Sequence, residues 1–370
     1  MQMSEWKPVS LDVDCSRKSN GSFSHVKIAS FSPDGSSFIT VLDDHCIAVY
    51  DTCHQLEGDS ASHPDGLSTS HDAPLPAPAV IDGYDDVRSI CFFPNYSASD
   101  PDSCCFLVAG RGTPIHLYDI RCGSHHFTYK PIDSHEELAD VYSLDFHPLG
   151  KYFLAGGKGS VYVFDIESPG RGIEMRRLYT NRKSGQCGII SAITHNPYSS
   201  NVYACGDYNS NICVYDHNVS RYNSQFGPFR DNLLPIGPIT QLRWIKDSML
   251  LVGSRNDLYI RLFDIRSTCE EPLLRLRRPA KTNQRIEFDI RNDEIISGTS
   301  DGGIVMYSVS SEETKFEQKI APVTVSSSKF HPTLPVLLTA SGTRNYWSEP
   351  DEELSSAEVK LWRTSQSEDT

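Results

Sequence analysis

Long apolar runs are missing from this sequence of 370 residues. No stretch approaches the ~18 consecutive apolar residues that a transmembrane helix requires, which excludes a protein anchored by helical spans. The first ten residues, MQMSEWKPVS, contain neither a basic region nor an apolar core, so no secretory signal is expected. We therefore expect a protein that stays inside the cell and has no membrane partner.

Paired cysteine motifs are also missing, because the 11 cysteines are scattered and include no CxxC. This pattern favours reduced thiols in the cytosol or nucleus over a disulfide framework. A zinc site needs several thiolates or imidazoles that converge. His45, Cys46, Cys53 and His54 come closest to such a group, but they stand at the two ends of one predicted strand. The sequence therefore predicts neither a metal site nor a cofactor.

Motifs typical of enzymes are absent as well. The sequence has no GxSxG elbow and no HExxH helix. Its GKGS segment, Gly157–Ser160, lies between two predicted strands, without the helix that a phosphate-binding loop requires. The neighbouring carboxylates Asp43 and Asp44, like Asp85 and Asp86, fall in predicted loops, where Asp commonly caps turns. These patterns indicate a protein that is not an enzyme.

What the sequence does contain is a repeat. Each copy has an apolar, β-rich segment, a turn, and a second strand that ends in an aromatic residue, usually followed by Asp. Clear copies are Phe31–Asp51 and Leu144–Asp165. The seven copies end 44 to 68 residues apart, which fits the ~40 to 45 residues of a WD-repeat blade once insertions are allowed for. The closing aromatic residues, predicted to fill the gaps between blades, are Tyr50, Tyr118, Phe164, Tyr215, Phe263, Tyr307 and Trp362.

Seven copies of this unit predict an all-β, seven-bladed WD-repeat β-propeller, which we expect to form a single domain over residues 1–370. Helical periodicity is nearly absent, and short strands rich in β-branched and aromatic residues alternate with turns. Only a polar tail follows Trp362, so residues 4–13 are predicted to close the last blade as its outer strand. We further predict a disordered loop insertion at residues 57–79, which are rich in proline, and an acidic loop at residues 349–358.

Charge is distributed unevenly. With 48 acidic and 34 basic residues the net charge is −14, which for the chain as a whole repels nucleic acid. The predicted propeller nevertheless gathers basic residues in the loops at one of its ends, together with Tyr208, Tyr346 and Trp347. The turns between second and third strands contain Arg111, Lys158, Arg255 and Arg344, and the loops between blades contain Arg182, Lys183, Lys281 and Arg285.

Two functions fit this end of the propeller. Basic side chains bind phosphates, and aromatic or guanidinium planes stack on unpaired bases, as in the recognition of single-stranded RNA. The amides of Asn283 and Gln284 could read base edges in the same loop. Alternatively, the loops recognise a peptide and the protein is an interaction scaffold or adaptor, which is the commoner role of propellers. The residues taken alone leave both interpretations open.

Several segments resemble the telomerase Cajal body protein family of WD-repeat proteins. They are KTNQRIEFD (Lys281–Asp289) with the later IISGTSDGGIVMYS, CGIISAITHNP (Cys187–Pro197), VYACGDYNSNICVYD (Val202–Asp216), PDSCCFLVAGRGTPIHLYDIRCG (Pro101–Gly123) and HPTLPVLLTASGTRN (His331–Asn345). The resemblance covers roughly residues 20–350. Generic WD repeats would not produce the NQRI and GIIS segments, so the similarity is specific.

The resemblance implies a nuclear propeller that binds the CAB box of H/ACA small Cajal body RNAs and, where present, telomerase RNA. Such a protein directs these ribonucleoproteins to Cajal bodies and serves telomere maintenance. Its implied partners are dyskerin-containing particles and coilin, and the cytosolic chaperonin assists its folding, which allows a cytoplasmic pool. A structural role in locking blade 6 to blade 5 stays open for the NQRI segment, Asn283 in particular. The RNA-binding residues carried over onto this sequence are Arg111, Lys183, Arg255, Lys281, Asn283, Gln284, Arg285 and Arg344.

Overall fold

The repeats form antiparallel four-stranded sheets, one for each predicted blade. The computed structural model describes residues 6–9, 25–57, 79–181, 184–219, 226–267, 271–311, 313–343 and 357–364. Within these residues seven sheets have the strand order of propeller blades, and neighbouring strands follow one another along the chain except for the outer strand of blade 7 and a fifth strand in blade 2. The predicted all-β fold, a seven-bladed β-propeller, is confirmed. By contact density the chain divides into two compact units, residues 84–287 and residues 1–83 with 288–370.

The unit of residues 84–287 contains blades 2 to 5. Blade 2 consists of Val87–Phe92, Cys105–Gly110, Ile115–Asp119 and His125–Lys130, with Gly170–Arg171 as a fifth, parallel strand. Blade 3 consists of Ser143–Phe146, Tyr152–Gly156, Ser160–Asp165 and Glu174–Arg177. Blade 4 consists of Ile190–Asn196, Ser199–Asp207, Ile212–Asp216 and Phe226–Phe229. Blade 5 consists of Ile239–Lys246, Met249–Ser254, Tyr259–Asp264 and Leu274–Arg277. A 3-10 turn, Pro101–Ser103, and a small hairpin of Tyr179–Asn181 with Ser184–Gly185 complete this unit.

The other unit contains blades 1, 6 and 7. Blade 1 consists of Val26–Phe31, Ser37–Leu42, Ile47–Asp51 and Ala79–Ile81, with the helix Thr52–Glu57 after its third strand. Blade 6 consists of Phe288–Arg291, Glu294–Gly298, Gly303–Ser308 and Thr314–Lys319. Blade 7 consists of Val325–Phe330, Val336–Ser341, Glu358–Thr364 and, as its outer strand, Trp6–Val9.

The outer strand of blade 7 comes from the beginning of the chain, as predicted. Trp6–Val9 pairs antiparallel with the third strand, with Trp6 opposite Thr364 and Val9 opposite Leu361. The other residues of the predicted strand 4–13 lie outside the described part of the chain. Without this pairing the edge of Glu358–Thr364 would expose unpaired N–H and C=O groups.

The two predicted loop insertions differ from the structure at their edges. Glu57 ends a short helix, and Ala79 already pairs with Val49. Glu358 likewise pairs with Ser341 at the start of a strand, because the backbone ladder of blade 7 continues to that position. Residues 58–78 and 349–356 lie outside the described residues.

Burial decreases from the inner to the outer strands of a blade. Val336–Ser341 is buried at every position, whereas Thr314–Lys319 is exposed at all but one. The β-branched and aromatic residues of the inner strands pack against neighbouring blades of the same unit. In one core, Leu107 of blade 2 packs together with Phe153 and Phe164 of blade 3. The closing aromatic residues that the sequence predicts are all buried, from Phe263 at 0% to Tyr118 at 9% exposure.

Candidate nucleic-acid interface

The predicted RNA-binding residues that belong to the described part of the chain lie in loops between strands. Arg255 follows the second strand of blade 5, and Arg111 occupies the equivalent turn of blade 2. Residues 281–285 belong to the loop that follows Leu274–Arg277 and leads into Phe288–Arg291. Lys183 and Arg344 lie outside the described residues.

Two of these loops are joined through their backbones. The amide of Asn256 donates a 3.0 Å hydrogen bond to the carbonyl of Thr282, and the amide of Arg255 donates to the carbonyl of Pro238 at 2.9 Å. Arg255 therefore lies beside residues 281–285, as a shared RNA-binding site requires. We call Tyr208, Arg255 and residues 281–285 the blade 5 cluster.

Arg255 is oriented by an aromatic ring. Its Cζ lies 5.0 Å from the centroid of the Tyr208 ring, within the ~6 Å range of a cation–π interaction. The Nε of Arg255 is buried without a hydrogen-bond partner, and no carboxylate within the described part of the chain pairs with this guanidinium. Its positive charge is therefore not offset by a neighbouring acid.

The Tyr208 ring is held by a rigid turn of blade 4. Asp207, whose exposure is 0%, accepts hydrogen bonds from the amides of Asn209 and Asn211 at 2.9 and 2.8 Å. Burial raises the pKa of Asp207 although these hydrogen bonds favour its ionised form. The amide of Tyr208 donates to the carbonyl of Ile189 at 3.0 Å. Because the backbone on both sides of Tyr208 is fixed, its ring provides a firm support for Arg255.

The NQR segment presents side chains of different kinds. Lys281 and Asn283 are exposed, whereas Gln284 is half-buried. The backbone N–H of Gln284 donates a hydrogen bond to Thr282 Oγ1 at 3.1 Å. Arg285 is only 28% exposed, and its Nη2 lies 3.0 Å from Oε1 of the buried Glu287. The charge of Arg285 is thus offset by an ion pair. The exposed Lys281 is therefore the main candidate in this loop for binding a phosphate group.

Arg111 lies in more acidic surroundings. Its side chain is exposed and its amide donates to the carbonyl of Asp86 at 2.9 Å. The next amide, of Gly112, donates to Asp140 Oδ1 at 2.9 Å. Both carboxylates also pair with Arg88, at 3.4 and 3.2 Å. Asp86 and Asp140 carry two negative charges against the one positive charge of Arg88, and this excess weakens the attraction of the Arg111 turn for phosphate.

A buried charge network that was not predicted holds the Arg255 turn. Arg261, with 1% of its side chain exposed, donates from Nε to Asp231 at 2.8 Å and from Nη1 to Asp257 at 2.5 Å. Asp257 also accepts from Ser254 Oγ, so the turn between Ser254 and Tyr259 is closed by side chains. The sequence contained one signal, an arginine between the apolar residues Ile260 and Leu262 of the strand Tyr259–Asp264.

The described part of the chain shows neither a candidate metal site nor a helix that could cross a membrane. Within the described residues, no group of three or more His, Cys, Asp or Glu side chains is arranged to hold a metal ion. No helix among them is long and apolar enough to cross a membrane. His125 and His126, the first residues of an outer strand, are exposed.

Comparison with known proteins agrees with the repeat and with the resemblance. The family "WD domain, G-beta repeat" matches residues 127–165. The chain is 29% identical over 346 residues to "Telomerase Cajal body protein 1" of Mus musculus, covering 91% of this chain and 62% of that protein. It is 28% identical to the Homo sapiens protein of the same name, with 88% and 58% covered. The predicted similarity to telomerase Cajal body proteins is confirmed.

A fungal protein with a different name is about as similar. "Guanine nucleotide-binding protein negative regulator 1" of Schizosaccharomyces pombe is 28% identical over 346 residues, which cover 90% of this chain and 84% of that protein. The mammalian relatives are longer, and this chain spans about three-fifths of their length.

Proposed function

We propose that this chain is a non-catalytic propeller that recognises the CAB box of H/ACA small Cajal body RNAs and, where present, of telomerase RNA. It directs these ribonucleoproteins to Cajal bodies in the nucleus. Dyskerin-containing particles and coilin are the partners that follow from this role, and the cytosolic chaperonin is its folding assistant. The names of the mammalian relatives support the proposal.

The observation that carries the proposal is the cation–π contact between Arg255 and Tyr208. A guanidinium plane supported by a ring offers an unpaired base a flat, cationic surface, and base stacking contributes about 1 to 3 kcal/mol per base. Exposed Asn283 lies in the neighbouring loop, where its amide can both donate to and accept from a base edge. Lys281 supplies a charge for the backbone phosphates.

Binding to two hairpins tests the proposal. One carries the CAB box of a small Cajal body RNA, and the other has the same stem with the box scrambled. We expect the protein to prefer the first, and Arg255→Ala to weaken this binding by about 5- to 150-fold. Arg266→Ala is the matched control, because Arg266 follows the neighbouring third strand of blade 5, at the end of the blade opposite to Arg255, and already pairs with Asp264.

Salt dependence separates the roles within the cluster. Lys281→Ala should lower the slope of log K against log salt by about 0.7, the value for one phosphate contact on a single strand. Arg255→Ala should lower the affinity while changing the slope less. Equal affinity for the two hairpins, or an Arg255→Ala variant that binds like Arg266→Ala, would contradict the proposal. A peptide scaffold, the rival function, would bind neither hairpin.

A further inference from the structure

We infer that Arg278 is a positioning residue for the blade 5 cluster: its buried guanidinium ties the Arg255 turn to the loop that contains Asn283. This inference rests on the proposed function, because it concerns the same site. Arg278 directly follows the last strand of blade 5 and has an exposure of 0%. It therefore cannot contact RNA itself.

Arg278 forms hydrogen bonds to both loops of the cluster. Its Nη2 donates to the carbonyl of Ser254 at 3.0 Å, and its Nη1 donates to the carbonyl of Ile286 at 3.1 Å. Ser254 immediately precedes Arg255, and Ile286 immediately follows Arg285. One planar group thus holds the beginning of one loop and the end of the other.

The chemistry of the guanidinium makes this role specific to arginine. It stays charged in a protein and presents its donors in a fixed planar fork. A lysine ammonium is a point donor on a flexible stem and lacks the fork that spans two carbonyls. Methionine fills a similar space but leaves the carbonyls of Ser254 and Ile286 buried without their donor, which is unfavourable.

The contact between Arg255 and the Tyr208 ring depends on the position of the Arg255 turn. Its cation–π attraction weakens as the distance between Arg255 Cζ and the ring centroid increases from 5.0 Å towards the ~6 Å at which such contacts are no longer counted. The direct link between the loops is the hydrogen bond from Asn256 N–H to the Thr282 carbonyl. Loss of the two hydrogen bonds from the Arg278 guanidinium should weaken the hydrogen bond between Asn256 and Thr282 and move Arg255 away from the Tyr208 ring.

Hydrogen exchange tests the coupling without RNA. In Arg278→Met, the amide of Asn256 should exchange faster, whereas that of Leu251, which lies in the paired second strand of blade 5, should stay protected. Arg266→Met is the control for loss of one charge from the blade. Unchanged protection at Asn256 in Arg278→Met would overturn the inference, whatever the variant does to RNA binding.

A double-mutant cycle tests the positioning role. We expect Arg278→Met and Arg278→Lys each to weaken binding of the CAB-box hairpin by about tenfold, the equivalent of one stacked base. Arg278→Met with Arg255→Ala should bind no worse than Arg255→Ala alone, because both changes act through the contact between Arg255 and Tyr208. Additive losses, or full affinity in Arg278→Lys, would overturn the inference. If the wild-type protein binds neither hairpin, the proposed function fails instead, and exchange at Asn256 still decides whether Arg278 couples the loops.

Discussion

Replacing Arg261 by methionine should destabilise the unit of residues 84–287 by about 3 to 5 kcal/mol, the cost of removing one partner from a buried ion pair. The side chains of Arg261, Asp231 and Asp257 are 1%, 0% and 4% exposed. Without the guanidinium, Asp257 loses its ion-pair partner, whereas Asp231 keeps the ion pair with Arg275, at 2.8 Å, and the backbone hydrogen bonds from Leu233 and Leu234. The comparison is Arg266→Met, which breaks a surface pair with 69% of the arginine side chain exposed and should cost less than about 1 kcal/mol.

Urea unfolding followed by far-UV circular dichroism measures this difference, and the pH dependence tests its cause. Burial alone would raise the pKa of Asp231, but hydrogen bonds from Arg275 and Arg261 outweigh this and hold it below its usual range. A lowered folded-state pKa gives stability that is present above the unfolded pKa of ~3.9 and is lost only as pH falls through the lower folded value. The difference between wild type and Arg261→Met should therefore be constant from pH 8 to about pH 5. Equal unfolding free energies for Arg261→Met and Arg266→Met would refute the reasoning.

Three further outcomes follow from the structure. Deletion of residues 1–9 should lower the melting temperature and the yield of soluble protein, because it leaves the edge of Glu358–Thr364 unpaired; scanning calorimetry checks this. Gly237→Ala should destabilise the protein by about 1 to 3 kcal/mol, because the added Cβ would lie 2.1 Å from the Arg255 carbonyl oxygen. Urea unfolding measures this change in the free energy of unfolding. Burial lowers the pKa of His147 and His217 in the folded protein, so the unfolded state binds protons at a higher pH and the stability should fall as the pH drops below about 6.5. Replacing both histidines with Gln should make the melting temperature in thermal scans depend less on pH.

The blades were predictable because their contacts are local in sequence. Each copy joins an inner strand to its neighbour through a short turn, so β-branched segments such as those in Phe31–Asp51 define a sheet without knowledge of distant residues. The outer strand of blade 7 was predictable for a related reason. A seventh copy that lacked its fourth strand required one from elsewhere, and Trp6–Val9 supplies it.

The parts of the site that escaped prediction depend on contacts over longer range. Asp231 pairs with Arg261 across 30 residues, and no local pattern marks that pairing. The parallel strand Gly170–Arg171, which extends blade 2, is equally non-local. The pairing of Arg285 with Glu287 is different, because residues two apart in an extended segment point to the same side. That spacing, read as R-x-E, could have indicated that the charge of Arg285 is offset.

The distribution of ion pairs indicates what kind of RNA site the proposed one would be on a chain with a net charge of −14. In blade 5 and its loops, Arg266 and Arg285 each pair with a carboxylate and contribute little net positive charge. Arg255 and Lys281 have no such partner within the described residues. The two cations of the proposed site, on an anionic molecule, cannot produce the broad attraction on which sequence-independent binding depends. Stacking and base-edge contacts must then supply most of the free energy, so the proposed site should be selective for its RNA and should show a shallow salt slope, to which Lys281 contributes most.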